Sequence, residues 1–189
     1  MHSTWTEQWW PIAYLQDLDR SQPNRFTLLE RDLVIWWDAG AHQSCWRVFP
    51  DICPHRLVPL SEGRINDQGL LECPYHGWSF DGEGHCRSMP QATENTKPEA
   101  RQSRCASLPT ATGQGLLFVW TGAADAANRQ PLPLVPALED NPTSWTVQDT
   151  FRDLPMDAVT LLENVLDVSH VPFTHHKTVG NRNNAAPVL

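Results

Sequence analysis

The feature that most limits how this chain can fold is a repeated pairing of cysteine with histidine. Cys53-Pro-His55 and Cys73-Pro-Tyr-His76 form C-x-H, seventeen residues, then C-x2-H, followed respectively by Arg56 and by Gly77-Trp78. Two loops at the tips of β-hairpins can bring all four side chains to one point. Two thiolates and two imidazoles suit tetrahedral zinc, or a [2Fe–2S] centre in which a pair of histidines replaces a pair of cysteines on one iron. Structural zinc sites usually open with C-x2–4-C, whereas each loop here supplies one cysteine and one histidine, so the cysteines can take one iron and the histidines the other. Zinc, or unconnected cysteines and histidines in a core, stand as the alternatives.

Charge counting gives such a centre its chemistry. Two ferric ions, two sulfides and two thiolates sum to zero, and one electron makes the site singly negative; a four-thiolate site starts doubly negative and resists reduction, so histidine ligation raises the potential. The expected role is a one-electron relay. Cys45, Cys86 and Cys105 have no spacing that ties them to the site and read as buried thiols. Five cysteines is an odd count, and Met1-His-Ser-Thr-Trp-Thr-Glu-Gln8 has neither the basic nor the apolar region of an export signal, so no disulfide frame is expected. Lys plus Arg is 14 against 22 for Asp plus Glu, and the net charge of −8 is spread along the chain, which argues against a nucleic-acid or anionic-membrane surface. No uncharged apolar run approaches the ~20 residues of a membrane helix. No transmembrane segment is expected, and the location is expected to be cytoplasmic.

From Trp9 to Trp120 the pattern is short strands with turn punctuation. Phe26–Glu30 and Leu33–Trp37 flank Arg31-Asp32 as a hairpin, Trp46–Phe49 follows, Trp78–Phe80 leads into an Asp81–Gly84 turn, and Leu116–Trp120 closes the run. The nine tryptophans suit stacked clusters, a flat aromatic pocket or plain core. Residues 91–107 read as a surface loop, and 122–142, with Pro131, Pro133, Pro136 and Pro142, as a stiff extended linker. The expected division is therefore 8–122, a linker over 123–143, and the beginning of a second domain over 144–189. There, Ser144–Arg152 reads as a strand, Asp153 as a cap, and about Met156 to Val171 as a helix that Pro172 ends or kinks.

That helix carries a second constellation, Asp167-x2-His170-x4-His175. Two histidines and a carboxylate on one face of Fe(II) leave open positions for dioxygen. On an unbroken helix His170 and His175 would lie roughly 140° apart and could not share a metal, but Pro172 breaks the regularity. Asp167, one turn before His170, can hydrogen-bond a ligand imidazole and set its tautomer. A solvated polar face ending in a histidine-rich loop is the alternative, and His176 competes with His175.

With these residues in hand, the chain resembles the Rieske proteins. Respiratory-chain members carry an extra cysteine in each cluster loop; this chain has Leu57-Val58-Pro59 and Gly77-Trp78 there, the pattern of the Rieske non-haem iron oxygenases. Cys53–Ile65, Tyr75–Phe80, Ser88-Met-Pro-Gln-Ala92 and Trp9-Trp-Pro-Ile-Ala13 resemble the pheophorbide a oxygenase and lethal-leaf-spot branch, including its cyanobacterial members, and the likeness runs from about Trp5 to Val188. It implies a mainly β Rieske domain of antiparallel sheets with the cluster at hairpin tips. The start of an α+β helix-grip oxygenase domain would follow, cut short within this chain. The resemblance also implies Cys53, His55, Cys73 and His76 as cluster ligands, His170 and His175 as ligands of a mononuclear non-haem Fe(II), and Asp167 as the inter-subunit electron-transfer bridge. The family's third iron ligand is a carboxylate far downstream, and nothing after His176 is acidic, so the chain is expected to be the N-terminal part of a longer oxygenase.

The function implied is O2-dependent oxygenation of a large hydrophobic, tetrapyrrole-like substrate of chlorophyll breakdown. A ferredoxin or reductase would serve as electron donor, and the working form would be a homotrimer. The full-length protein would be cytoplasmic or peripheral to photosynthetic membranes. Two competitors stand beside it: a Rieske electron-transfer protein or incomplete fragment without its own catalysis, and a zinc-stabilised interaction domain. A stand-alone carrier needs only residues up to about 122, so the matched segment 155–176 counts against the first.

Overall fold

The computed structural model describes residues 4–40, 44–93, 104–152 and 154–186. It divides into two compact units, 1–144 and 145–189. The first is built from three antiparallel sheets. Strands β1 (Trp9–Tyr14), β9 (Thr110–Gly113) and β10 (Leu116–Trp120) form one, in the order β1-β10-β9. Strands β2 (Asn24–Leu28), β3 (Arg31–Asp38) and β4 (Cys45–Pro50) form the second. Four short strands, β5 (Arg64–Ile65), β6 (Leu71–Glu72), β7 (Ser79–Phe80) and β8 (Cys86–Ser88), form the third in sequence order.

Strand β3 organises the interior. Its run Leu33-Val-Ile-Trp36 does not alternate in polarity because both of its faces are buried. Leu33 and Ile35 enter one core with Ile12, Trp46, Val48, Leu117 and Val119. Val34 and Trp36 enter the other with Phe49, Leu60, Leu71, Phe80 and the two motif cysteines. The period-two geometry of a strand thus divides one apolar run between a structural core and a core that backs the motif loops. Burying these side chains is worth roughly 1.5–3 kcal/mol each. Several tryptophans pair within the sheets, Trp37 with Trp46 at 5.1 Å and Trp9 with Trp120 at 5.6 Å.

The β2–β3 hairpin turns two residues earlier than the sequence suggests. Leu29 and Glu30 take positive φ of 49° and 63°, as a two-residue hairpin loop of matching twist requires, and Arg31 and Asp32 belong to the strand. Neither residue is a usual choice there. The register is held across the strands by Arg25 to Asp32 at 2.9 Å and by Thr27 Oγ1 donating to Asp32 at 2.7 Å. Residues 123–143 are not the extended strut expected from their prolines. They carry two short helices, α1 (Ala124–Ala127) and α2 (Pro136–Asp140), and are pinned to the β unit. Gln114 Oε1 accepts from Val135 N, Gln114 Nε2 donates to Val135 O, and Trp9 Nε1 donates to Gln130 O.

In the second unit, the expected strand over 144–152 does not form. No neighbouring strand offers it a ladder among the described residues, and Trp145, Val147 and Phe151 are exposed. The expected 156–171 helix is broken into pieces. Helix α3 spans Ala158–Leu166 and is capped by Asp157, which accepts from Val159 N and Thr160 N, both at 3.0 Å. Asp153, expected as the cap, lies outside the described residues. Asp167 leaves helical geometry at φ −83°, ψ 81°, a single 3-10 turn covers Val168–His170, and α4 covers Val171–Thr174. Pro172 sits in the first turn of α4, where a missing N–H is tolerated, so it opens a helix rather than ending one. Among the described residues no helix is long and apolar enough to cross a membrane.

Of the expected loop 91–107, residues 94–103 lie outside the described residues, and its end is core rather than surface: Cys105 is buried and donates its N–H to Gly84 O at 2.8 Å. Gly84 has φ +82°, and a Cβ there would lie 2.1 Å from Cys105 O. Gly84→Ala is therefore expected to destabilise the protein by about 2 kcal/mol or more, read as a fall in thermal or denaturant midpoint.

Candidate metal centre

The two motif loops are the same turn built twice. In the first, Cys53 N–H donates to Val58 O at 2.8 Å and Leu57 N–H donates to Cys53 O at 2.9 Å. In the second, Cys73 N–H donates to Trp78 O at 2.8 Å and Gly77 N–H donates to Cys73 O at 3.1 Å. Each places the fourth residue after its cysteine at positive φ, Leu57 at 59° and Gly77 at 72°. Gly77 takes that conformation freely, while Leu57 does so against steric preference. The second loop caps the β6–β7 hairpin; the first connects β4 of one sheet to β5 of another. Having no hairpin to close it, the first loop is closed by a carboxylate. Asp51, only 7% exposed, accepts from Ser61 N at 2.7 Å and from Ser61 Oγ at 2.5 Å.

These turns present the motif side chains in two pairs. Cys53 and Cys73 are 1% and 2% exposed and share one core. The imidazoles of His55 and His76 lie 4.6 Å apart between centroids, tilted by 56°. Each ring is braced by an aromatic neighbour: Trp78 stacks on His55 at 4.2 Å and 3°, and Tyr75 lies against His76 at 3.9 Å. Neither brace was anticipated as a functional element from the sequence, although both residues sit in the second motif. Nor was the Asp51–Ser61 closure, whose partners no local periodicity links.

The electrostatics of this arrangement call for a cation. Burial pushes the Cys53 thiol up to about 11, and the adjacent Cys73 thiol pushes the same way. Burial, then the neighbouring His76 and Arg56, hold His55 below its ordinary value. Nδ1 of His55 and Nδ1 of His76 are both buried with no hydrogen-bond partner among the described residues. Bare buried ring nitrogens are unfavourable in a protein interior, and together with two buried thiols they suit metal binding. Among the described residues no three His, Cys, Asp or Glu side chains converge on a single ion. The grouping is two and two, which fits the donor set of a two-iron cluster better than that of a tetrahedral zinc site. Cys45 and Cys86 are only partly buried, and all five cysteines are free thiols.

In the second unit the break after α3 brings His170 and His175 together, with ring centroids 5.3 Å apart. The carbonyl of Asp167 contacts His170 Nδ1 and leaves Nε2 as the free ring nitrogen. The Asp167 carboxylate, expected on the imidazole, lies 3.9 Å from Nδ1 and is taken up by Ser169, whose N–H donates at 3.1 Å and whose hydroxyl also donates to it. The Ser169 hydroxyl and N–H hold that carboxyl below the usual carboxylate range. Asp167 and His170 do not share a regular helical face, because α3 ends at Leu166, before both of them. His176 is occupied otherwise: its Nδ1 accepts from Arg182 N at 3.2 Å.

Comparison with known proteins agrees with this description. Residues 8–110, more than half of the chain, match the Rieske [2Fe–2S] domain. A pheophorbide a oxygenase from Oryza sativa subsp. japonica is 47% identical over 97% of this chain and 35% of its own length. The Arabidopsis thaliana protein of that name is 46% identical with the same coverage. The chain therefore spans about a third of the length of these curated relatives. Among solved structures, dicamba monooxygenase bound to dicamba superposes with a TM-score of 0.74 at 26% identity, covering 90% of this chain and 48% of that one. Fold, paired cysteines and histidines, and relatives lead to one conclusion: the chain belongs to the Rieske [2Fe–2S] family, among the Rieske oxygenases and alongside the pheophorbide a oxygenases.

Proposed function

We propose that this chain is the electron-relay portion of a Rieske non-haem iron monooxygenase that acts on a chlorophyll-breakdown tetrapyrrole, with Cys53, His55, Cys73 and His76 as the cluster ligands. The observation that carries the reading is the pair of buried Nδ1 atoms without partners beside two buried thiols. A [2Fe–2S] centre bound there supplies one-electron transfer at a potential raised by its two neutral ligands. The residues of the chain do the rest. Trp78 and Tyr75 hold the rings, Asp51 closes the first loop, and the positive φ at Leu57 and Gly77 aims both turns inward. The Rieske domain is assigned to residues 8–122, and 144–189 is assigned to the start of a catalytic domain.

Within that second part, His170 and His175 are two ligands of a mononuclear Fe(II), supported by the approach of their rings. Asp167 is the bridge between the two metal sites, reached from a neighbouring subunit in a trimer, with a ferredoxin or reductase as donor. The tetrapyrrole substrate is supported by the pheophorbide a oxygenase relatives at 47% and 46% identity.

Four outcomes test this. Anaerobically purified protein is expected to hold two irons and two acid-labile sulfides in the first unit, with a Rieske-type electron paramagnetic resonance signal after reduction; one zinc without sulfide overturns the assignment. His55→Ala or His76→Ala should bleach the cluster absorbance. Gly77→Ala, which forces a Cβ to 3.1 Å from Pro90 Cγ at φ 72°, should lower stability by ~1–2 kcal/mol and reduce cluster occupancy, read by melting temperature and sulfide content. In the complete enzyme, Asp167→Asn should slow turnover about 10–100-fold with both metal contents unchanged, and full turnover would remove its bridging role.

A further inference from the structure

Residues 175 and 176 are both histidines, yet only one of them meets His170. The chain around them shows how that choice is made. His175 is held at both ends of its peptide unit. Its N–H donates to Val171 O at 3.2 Å on the helix side. On the loop side its carbonyl accepts three donors, Thr178 N at 3.1 Å, Thr178 Oγ1 at 2.8 Å and Gly180 N at 3.0 Å. The loop then closes on itself, with Lys177 N–H donating to Gly180 O at 3.0 Å and Lys177 at φ 69°. Arg182 N–H donates to His176 Nδ1 at 3.2 Å and holds that ring to the loop.

Gly180 is where this closure meets α4. A Cβ on Gly180 would lie 2.2 Å from Val171 O and 3.1 Å from Pro172 Cα. Both are backbone atoms, so no side chain can move aside to make room. Val171 O is also the acceptor for His175 N–H, so a residue larger than glycine would push apart the contact that sets the start of His175. Three donors share the two lone pairs of one carbonyl oxygen, so the peptide unit of His175 is fixed from the loop side.

We propose that residues 176–182 form a clamp that commits His175, and not His176, to the metal-binding pair with His170, with Gly180 and Thr178 as its positioning residues. The inference rests on the reading above that His170 and one of these two histidines hold iron, and it extends that reading by naming what selects the ligand. Gly180 acts by close approach to Val171, Thr178 by its hydroxyl on the His175 carbonyl, and Arg182 by occupying the Nδ1 of the competing ring.

The test uses the complete enzyme, purified anaerobically, with iron counted above the two cluster irons and the cluster signal as internal control. His175→Ala should lose this third iron, whereas His176→Asn, which keeps an acceptor for Arg182 N–H, should retain it. Gly180→Ala and Thr178→Val should weaken iron binding tenfold or more, and Thr178→Ser, which restores the hydroxyl, should recover it. Loss of iron in His176→Asn with retention in His175→Ala overturns the proposal, as does unchanged binding in both Gly180→Ala and Thr178→Val. A complete wild-type enzyme without the third iron defeats the iron reading instead. The clamp is then judged on metal-free protein from the His176 ring in a 15N spectrum: one tautomer, protonated at Nε2, that becomes mixed in Gly180→Ala supports it, and a mixed tautomer already in the wild type overturns it.

Discussion

Everything in the first unit is arranged around an electrostatic problem that the polypeptide does not solve alone. Two thiols are nearly inaccessible to water, and two imidazole nitrogens are buried without a donor or acceptor among the described residues. An interior accepts a neutral thiol readily, but ionising a buried thiol without a counter-charge or leaving a buried ring nitrogen bare carries a desolvation penalty. The core behind them explains why they cannot simply turn outward. Cys53 and Cys73 are packed with Trp36, Phe49, Leu71 and Phe80, and turning them out would open that core to water.

The means of holding the motif side chains differ between the two loops, and the difference follows from topology. The second loop grows from a hairpin whose strands already pair Glu72 with Ser79, so a glycine at the tight position completes it. The first crosses from one sheet to another and lacks that closure. It relies on a buried carboxylate at its neck and tolerates a leucine at positive φ. One turn geometry is thus reached by two routes, one through backbone pairing and one through a side chain. The second unit holds its pair by a third route, in which a helix stops at Asp167 and a new one starts at Val171, so that two histidines five residues apart converge.

Much of the fold was legible in the sequence. Each of the main strands in the first unit coincides with an apolar or β-branched run, and the ligand types with their spacing identify the loops on their own. What escaped were features decided by partners distant in sequence or by backbone geometry without a residue signature. Leu29 and Glu30 do not advertise a hairpin turn, and Ser144–Arg152 has strand-like composition but no neighbour to pair with among the described residues. The proline-rich stretch after residue 122 reads as stiff and extended; Gln114 and Trp9 instead tie it to the sheets.

The sequence by itself therefore determined the chemistry available: which donors exist, at what spacing, and that they lie in loops between strands. That information is local, because ligand identity and turn propensity reside in a few consecutive residues. The tertiary structure alone decided which faces of β3 serve which core, how the first loop is closed, and which of two adjacent histidines approaches His170. Those outcomes depend on hydrogen bonds and close approaches such as Asp51 to Ser61 and Gly180 to Val171, between residues that no periodicity connects, and they exist only once the backbone has been brought together.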